Sequence, residues 1–418
     1  MTPITARDPT PSAAEQLVRL LGVLEPVLDV VAEPVEEPEA PRWCRERGWT
    51  EFLLGLDQRA LEDWECRGLE CARIESNETP RGFRELFREV RSLCQLPSLG
   101  VQSLPLPNAA LRGVPARKRE QLGTLLAALA PLAVRAQRVV DVGAGSGHFS
   151  RLSAELFGRA TLAVDRNASL LERGSALREE RSRDAGPLDV EFVELDLTRH
   201  ELALSALDLA VGLHACGGLG DRLVLAASKA RCDLALVSCC LQKIGEPRRA
   251  ALSRAAGAFS LRKSELGLTN LTFQPEGVEA TLSENLRARE VRLALRRLLH
   301  ERGLVVRAGE EMRGVNRRRA HAGLAELSSQ VLALRGLRAA SASELRVHAE
   351  NARRDHAAMR RLSLPRHLLA RLVELAVVFD RAATLEEAGL AVRVAQLFES
   401  RVTPRNTLLL ASRAPYPG

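Results

Sequence analysis

Three glycines, at 143, 145 and 147, are the first residues in this 418-residue chain whose spacing implies chemistry. They stand in Arg138-Val-Val-Asp-Val-Gly-Ala-Gly-Ser-Gly-His148. There an apolar run, Val139 to Val142, meets a helical pattern with Phe149, Leu152 and Leu156 on one face. Glycine tolerates positive φ and lets the backbone approach a ligand closely. A strand that turns straight into a helix N-terminus also leaves N–H groups free to face that ligand. Gly143, Ala144, Gly145 and Gly147 therefore read as a nucleoside-binding corner. A dinucleotide site would read G-x-G-x-x-G, but here the third glycine comes one residue early and His148 follows it. Asp165 ends the next apolar run, 18 residues past Gly147. A carboxylate there accepts hydrogen bonds from both ribose hydroxyls. The competing role, a cap for the helix starting near Ala168, suits Asp too, but the placement after the glycines favours ribose.

A second group lies in His214-Ala-Cys216-Gly-Gly218 and in Cys239-Cys240, each directly after an apolar run. In open α/β sheets ligands bind beyond the carboxyl ends of the strands, so one histidine and three cysteines can gather there. His and thiolate ligands suit zinc, but neighbouring cysteines at a strand end do not easily both reach one ion, and no metal is expected. His214 is the best candidate for a general base. A cysteine nucleophile is the other possibility.

The elements that must position these residues alternate regularly. Helix is expected over 118–129, 148–157, 168–181 and 219–230, and strand over 138–142, 161–164, 190–195, 207–213 and 234–237. Apolar strands separated by helices imply a parallel sheet covered on both faces. The pattern lapses over 245–365, which is rich in Arg, Ala and Leu and reads as helical without strand pairing. It resumes with a helix at 367–383 and strands at 392–398 and 407–411. Upstream, 13–31, 49–60 and 83–93 read as helices, a Pro/Glu linker spans 33–41, and 96–107 looks extended. Four segments result: a helical lobe (1–105), a sheet domain (106–244), an Arg-rich helical insertion (245–365) and the completion of the sheet (366–418).

No stretch of about 18 uncharged apolar residues occurs, and no signal-peptide pattern opens the chain. A cytoplasmic location is expected, with the eight cysteines as reduced thiols. The overall charge of +7 is uneven: residues 1–80 carry −9 and residues 281–370 carry +10. The basic segment could meet a phosphate backbone. Only four of the 60 basic residues are lysine, however, and aromatics make up 3% of the chain, so base-stacking platforms are scarce.

The early third glycine makes the turn resemble motif I of class I S-adenosylmethionine-dependent methyltransferases. Gly212-Leu-His-Ala-Cys-Gly-Gly-Leu-Gly-Asp221 and Val237-Ser-Cys-Cys-Leu-Gln-Lys243 are similar to one group within them. That group includes the domain of the glutathione-S-transferase-C-terminal-domain-containing protein, and methyltransferase-like proteins once labelled ribosomal RNA adenine dimethylase domain-containing. Val114-Pro-Ala-Arg-Lys-Arg-Glu120 and Thr403-Pro-Arg-Asn406 also look similar to it. The resemblance covers roughly 112–245 and 367–413. It implies a Rossmann-like α/β fold with a seven-stranded sheet in the order 3-2-1-4-5-7-6, and S-adenosylmethionine as cofactor. It further implies that Asp141 helps hold the methionine end and that Asp196, in Glu194-Leu-Asp-Leu197, bonds the adenine; a plain turn aspartate is nearly as good a reading of Asp196. His214, Cys216, Cys239 and Cys240 would then shape the methyl-donor and acceptor pocket. The Asn/Asp-Pro-Pro-Tyr/Phe motif of amino-group methyltransferases is absent after strand four, which counts against adenine N6 dimethylation. The leading expectation is a methyltransferase with a macromolecular acceptor, RNA or protein, reached through 281–370. The alternatives are a small-molecule methyltransferase with the insertion as lid, and a non-catalytic S-adenosylmethionine-binding scaffold.

Overall fold

Five runs of five to eight residues are too short for core helices, and they stack in parallel. In the computed structural model they are β1 (Arg138–Val142), β2 (Ala160–Asp165), β3 (Val190–Glu194), β4 (Asp208–Ala215) and β5 (Asp233–Ser238). A small hairpin follows, β6 (Arg248–Ala250) and β7 (Ser260–Arg262), and then β8 (Ala391–Gln396) and β9 (Thr407–Ser412). The structure describes residues 11–67, 79–108, 111–112, 114–271, 281–399, 402–403 and 405–416. The reduced-thiol expectation for Cys71 and for the side chain of Cys66, and the motif residue Pro404, lie outside the described residues.

The main sheet has the order β3-β2-β1-β4-β5-β9-β8, with β8 and β9 antiparallel to their neighbours. The hairpin β6–β7 forms its own two-stranded sheet. This is a Rossmann-like α/β fold, and the sheet order is the one the resemblance implied. The hairpin corrects one expectation: 245–365 does contain strand pairing, just after β5. Helix 49–60 also breaks into Thr50–Gly55 and Gln58–Arg67. Leu156, expected on the apolar face with Phe149 and Leu152, is 40% exposed while those two are buried.

The chain forms two compact units, which do not follow the four sequence segments. The first comprises residues 1–27, 89–272 and 369–418 and holds the whole main sheet. One face of the sheet packs on helix Ala116–Ala133: Leu122, Leu125, Leu126 and Leu129 meet Val139, Leu209, Val211, Val237, Leu408 and Leu410. Helix Ala13–Leu24 starts at a Ser12–Glu15 capping box, and its first backbone N–H groups bond the Glu386 carboxylate. The second unit comprises 28–88 and 273–368. Helices Leu282–Glu301 and Leu324–Leu334 share an apolar core with Met312 and Ala320, and Trp43, Trp49, Phe52 and Trp64 gather near Phe83.

Candidate active site

The glycine turn is held by sterics as well as by backbone freedom. Gly143, Gly145 and Gly147 all have positive φ (76°, 58° and 64°). The Gly143 and Ala144 N–H groups both donate to the Val164 carbonyl, which ties the turn to the end of β2. A Cβ on Gly147 would stand 2.5 Å from the Phe192 ring, and a Cβ on Gly174 would meet the same edge. Two glycines thus make room for the aromatic side chain of β3 directly beneath the turn.

Asp165 reaches back across the same turn. One carboxylate oxygen accepts the Gly145 N–H at 2.9 Å and the other accepts the Asn167 N–H at 2.9 Å. Helix Ala168–Ala185 is capped by Asn167, not by Asp165. Both Asp165 oxygens keep further acceptor capacity. Asp196 accepts from the N–H and hydroxyl of Thr198, and these two bonds hold its carboxyl below the ordinary range.

A cavity of about 700 Å³ opens beyond the carboxyl ends of the strands, within the range of small-molecule sites. Its walls include Gly143, Asp165, Asp196, Leu197, His214 and Cys216. The structure thus brings both groups of sequence candidates to one space. Asp141, Ala144, Gly145, Gly147, Cys239 and Cys240 are not on that wall. The lining also includes Arg166, Thr198, Arg222, Glu246 and Arg248, which the sequence did not flag, and Asp221 and Lys243, which stood only at the ends of the two motif stretches. Arg222, Lys243 and Arg248 are exposed and arrive from helix Gly218–Ala230, the loop after β5, and the hairpin.

Asp141 is buried behind the turn and accepts a 2.6 Å hydrogen bond from Ser150. Burial pushes its carboxyl from 3.8 to about 7, and the nearby Asp165 adds to the rise while Ser150 opposes it. The folded state therefore binds the proton more readily than the unfolded chain. Stability from this group is complete below the ordinary carboxylate value and is lost as pH rises from about 4 towards 7. Asp141→Asn lacks that term. The difference in unfolding free energy between parent and variant should slope across this window and stay flat above it, as chemical denaturation at stepped pH will show. A flat difference throughout would mean the carboxyl titrates normally.

His214 sits at φ 66°, in the left-handed region where a side chain is strained, at a register shift between β4 and β5. Its Nε2 lies 3.2 Å from the Oε1 of buried Gln121, an arrangement that fits Nε2 as donor and leaves Nδ1 as the basic nitrogen. The twist turns the His214 carbonyl towards the sulfurs of Cys216 and Cys239, each 3.2 Å away. Those two cysteines form a disulfide with Cα atoms 5.2 Å apart. This corrects the expectation of uniformly reduced thiols; the strand ends lie within the span a disulfide bridges without backbone movement. Among the described residues Cys44, Cys94, Cys232 and Cys240 are free.

The loops after β4 and β5 are fixed by a network that sequence reasoning missed. Asp221 receives Arg249 through two nitrogens at 2.9 Å and Arg381 at 2.8 Å. Arg249 also bonds Asp380, which caps the backbone N–H groups of Leu252 and Ser253. Arg381 is fully buried and donates to Ser238 Oγ at 2.6 Å and to the Gly217 carbonyl at 2.8 Å. Burial alone would raise the Asp221 carboxyl, but Arg381 and Arg249 together hold it below the ordinary range. Gly220 leaves the space the Arg381 guanidinium fills. The signal was present in the sequence: an Asp-Arg pair interrupts the apolar run Leu372 to Leu385.

Fold, glycine turn and cavity together define a Rossmann-like domain with a nucleoside-binding corner. The model of a methyltransferase domain family matches residues 117–247. The chain is also 28% identical over 148 residues to the glutathione S-transferase C-terminal domain-containing protein homolog of Drosophila melanogaster, covering 35% of this chain and 23% of that protein. Against the human glutathione S-transferase C-terminal domain-containing protein the identity is 26% over 126 residues, covering 30% and 19%. The chain thus spans about a fifth of the length of these curated relatives. Among solved structures, coclaurine N-methyltransferase bound to N-methylheliamine and S-adenosylhomocysteine aligns with 76% of this chain and 94% of that one, at 16% identity and a TM-score of 0.27. S-adenosylmethionine is the cofactor of this domain class, and the residues present fit it. The turn is open at Gly145, where an added Cβ would meet nothing, an acidic side chain with spare acceptors ends β2, and Val164 and Leu197 give apolar wall. Among the described residues, no helix is long and apolar enough to cross a membrane.

Proposed function

We propose that this chain transfers a methyl group from S-adenosylmethionine to a macromolecular acceptor, RNA or protein. One observation carries the reading. A single cavity joins the cofactor residues Gly143, Asp165 and Asp196 to His214 and Cys216, and continues to the exposed cations Arg222, Lys243 and Arg248. With three exposed cations against the one exposed carboxylate of Glu246, this edge is net positive and suits a phosphate-bearing acceptor, which favours RNA. In the second unit, Arg307, Arg313, Arg317, Arg318 and Arg319 are exposed within one short stretch, and they support the same reading independently.

S-adenosylmethionine, when bound, supplies an electrophilic methyl group. The side chains divide the remaining work. Asp165 accepts the ribose hydroxyls while holding the glycine turn, and Asp196 accepts the adenine amino group. Asp141 and Ser150 back the turn on the methionine side. His214 takes a proton from the acceptor atom, with Gln121 orienting its ring. Displacement at a methyl group needs mainly proximity and alignment, so modest general-base help suffices.

The test is transfer of tritiated methyl groups to total RNA and to lysate protein, each with nuclease- and protease-treated controls. Label that disappears with nuclease supports the favoured acceptor, and label that disappears with protease selects protein. Label confined to small molecules would overturn the macromolecular reading, and no S-adenosylhomocysteine binding by calorimetry would overturn the enzyme reading. RNA affinity should fall steeply with salt, and a flat response would remove the basic residues as phosphate contacts.

A smaller effect tests the turn itself. Gly147→Ala places a methyl group against Phe192 at positive φ, where alanine already costs roughly 1–2 kcal/mol. Both melting temperature and S-adenosylhomocysteine affinity should drop, and Phe192→Leu in the same chain should restore part of each. No recovery would mean the Phe192 ring is not what the glycine accommodates.

A further inference from the structure

The sulfurs of Cys216, Cys239 and Cys240 all lie within 4.8 Å of one another. The objection that neighbouring cysteines cannot both reach one ion does not apply to this geometry, because the turn after β5 brings the Cys239 and Cys240 sulfurs to the same side as Cys216. Ligand sulfurs around a tetrahedral zinc with bonds of about 2.3 Å stand ~3.8 Å apart, so a three-sulfur site needs the Cys216 and Cys239 sulfurs to part once the disulfide opens and asks little movement of Cys240.

The backbone that carries them is braced from outside. The Gly218 N–H donates to the Lys243 carbonyl at 3.0 Å, and the Lys243 N–H donates to the Cys240 carbonyl at 3.1 Å. Arg381 clamps Ser238 and the Gly217 carbonyl, the residues flanking the cysteines. A Cβ on Gly217, at φ 49°, would run into the Lys243 carbonyl. The strained His214 completes the frame. Its imidazole engages Gln121, which leaves three sulfurs and one open position. Three protein ligands with a fourth position open is the arrangement of reactive metal sites, whereas structural sites are closed by four.

We propose that Cys216, Cys239 and Cys240, in the reduced chain, bind one thiophilic divalent cation of the zinc class. The cation and the Cys216–Cys239 disulfide are mutually exclusive uses of the same sulfurs. Opening the disulfide takes two electrons and two protons, supplied by a small dithiol that leaves as its own cyclic disulfide. Binding then converts three thiols to thiolates and releases up to three protons, so affinity falls as pH is lowered. The bound cation ties the loop after β4 to the loop after β5 beside the cavity, where Cys216 lines the wall. The inference does not rest on methyl transfer, and its test reads none.

The full chain, reduced under anaerobic conditions and stripped with chelator, is titrated with cobalt(II) and then with zinc(II). One equivalent of cobalt should give sulfur-to-metal charge-transfer absorption, and zinc should abolish it. Bound zinc should also protect three thiols of the unaltered chain from alkylation, a reading that needs no variant. Cys240→Ser should weaken binding by more than the roughly 10–100-fold that loss of an outer-shell partner costs, while Cys44→Ser should leave it unchanged. Absence of the charge-transfer band, protection of no thiols, or a Cys240→Ser chain that binds like the parent would each overturn the site. So would a disulfide that forms equally fast with zinc present.

Discussion

Replacing Asp165 with alanine is expected to weaken S-adenosylhomocysteine binding by about 100- to 1,000-fold. Hydrogen bonds to a charged group contribute about 1.5–3 kcal/mol each, and each 1.4 kcal/mol is tenfold in affinity. Loss of two ribose contacts alone reaches the lower figure. The structure adds a second loss, because the same carboxylate holds the Gly145 and Asn167 N–H groups at 2.9 Å. Removing it frees the glycine turn on one side and the start of helix Ala168–Ala185 on the other. The two effects separate with asparagine: Asp165→Asn keeps one acceptor oxygen for the turn and loses the charge, so its affinity should fall between alanine and parent. Calorimetry reads the affinities, and a single cooperative melting transition, at a lower temperature than the parent's, shows that the fold survives. Parent-like affinity in the alanine variant would place the ribose elsewhere.

That prediction was legible from the sequence because strand-end chemistry is local. Glycine spacing, an apolar run and an acidic residue at the next strand end need no knowledge of distant contacts, and β1 to β5 lie within a few residues of their expected limits. The closing strands were legible for the same reason. Residues that act through long-range packing were not. Asp221 stood inside a quoted motif, yet its partners come from 28 and 160 positions away, a distance no periodicity spans. The hairpin β6–β7 escaped because three-residue strands such as Arg248–Ala250 have no alternation to detect. The Cys216–Cys239 bond escaped because thiol chemistry was judged from compartment, whereas the adjacency of β4 and β5 sets the distance. In each case the local pattern named residue types correctly and the topology chose their partners.

Disrupting the buried network should have the largest effect on stability. Arg381→Met keeps the length of the side chain and removes its charge. It leaves Asp221 with Arg249 alone and strips the donors from Ser238 Oγ and the Gly217 carbonyl. Removing one partner of a buried pair costs about 3–5 kcal/mol, chiefly through the group left behind. At roughly 2–4 °C per kcal/mol for a unit of this size, the melting temperature should drop by about 6–20 °C. Asp221→Asn leaves Arg381 without a carboxylate partner, while Arg249 keeps Asp380, and should cost a similar amount. The Asp221→Leu, Arg381→Leu double variant should cost less than the sum of its parts, because neither charge is then left unpaired. Acid provides an independent reading. The Asp221 carboxyl is held below its ordinary range, so its contribution is present above the ordinary carboxylate value and lost as pH falls through the depressed one. The gap between parent and Asp221→Asn should therefore narrow only in strong acid. Arg381 holds the loop after β4 by the Gly217 carbonyl and the end of β5 by Ser238, so the same variants should widen the spacing of the three sulfurs and slow closure of the Cys216–Cys239 disulfide. A network that served stability alone would lower the melting temperature and leave that rate unchanged.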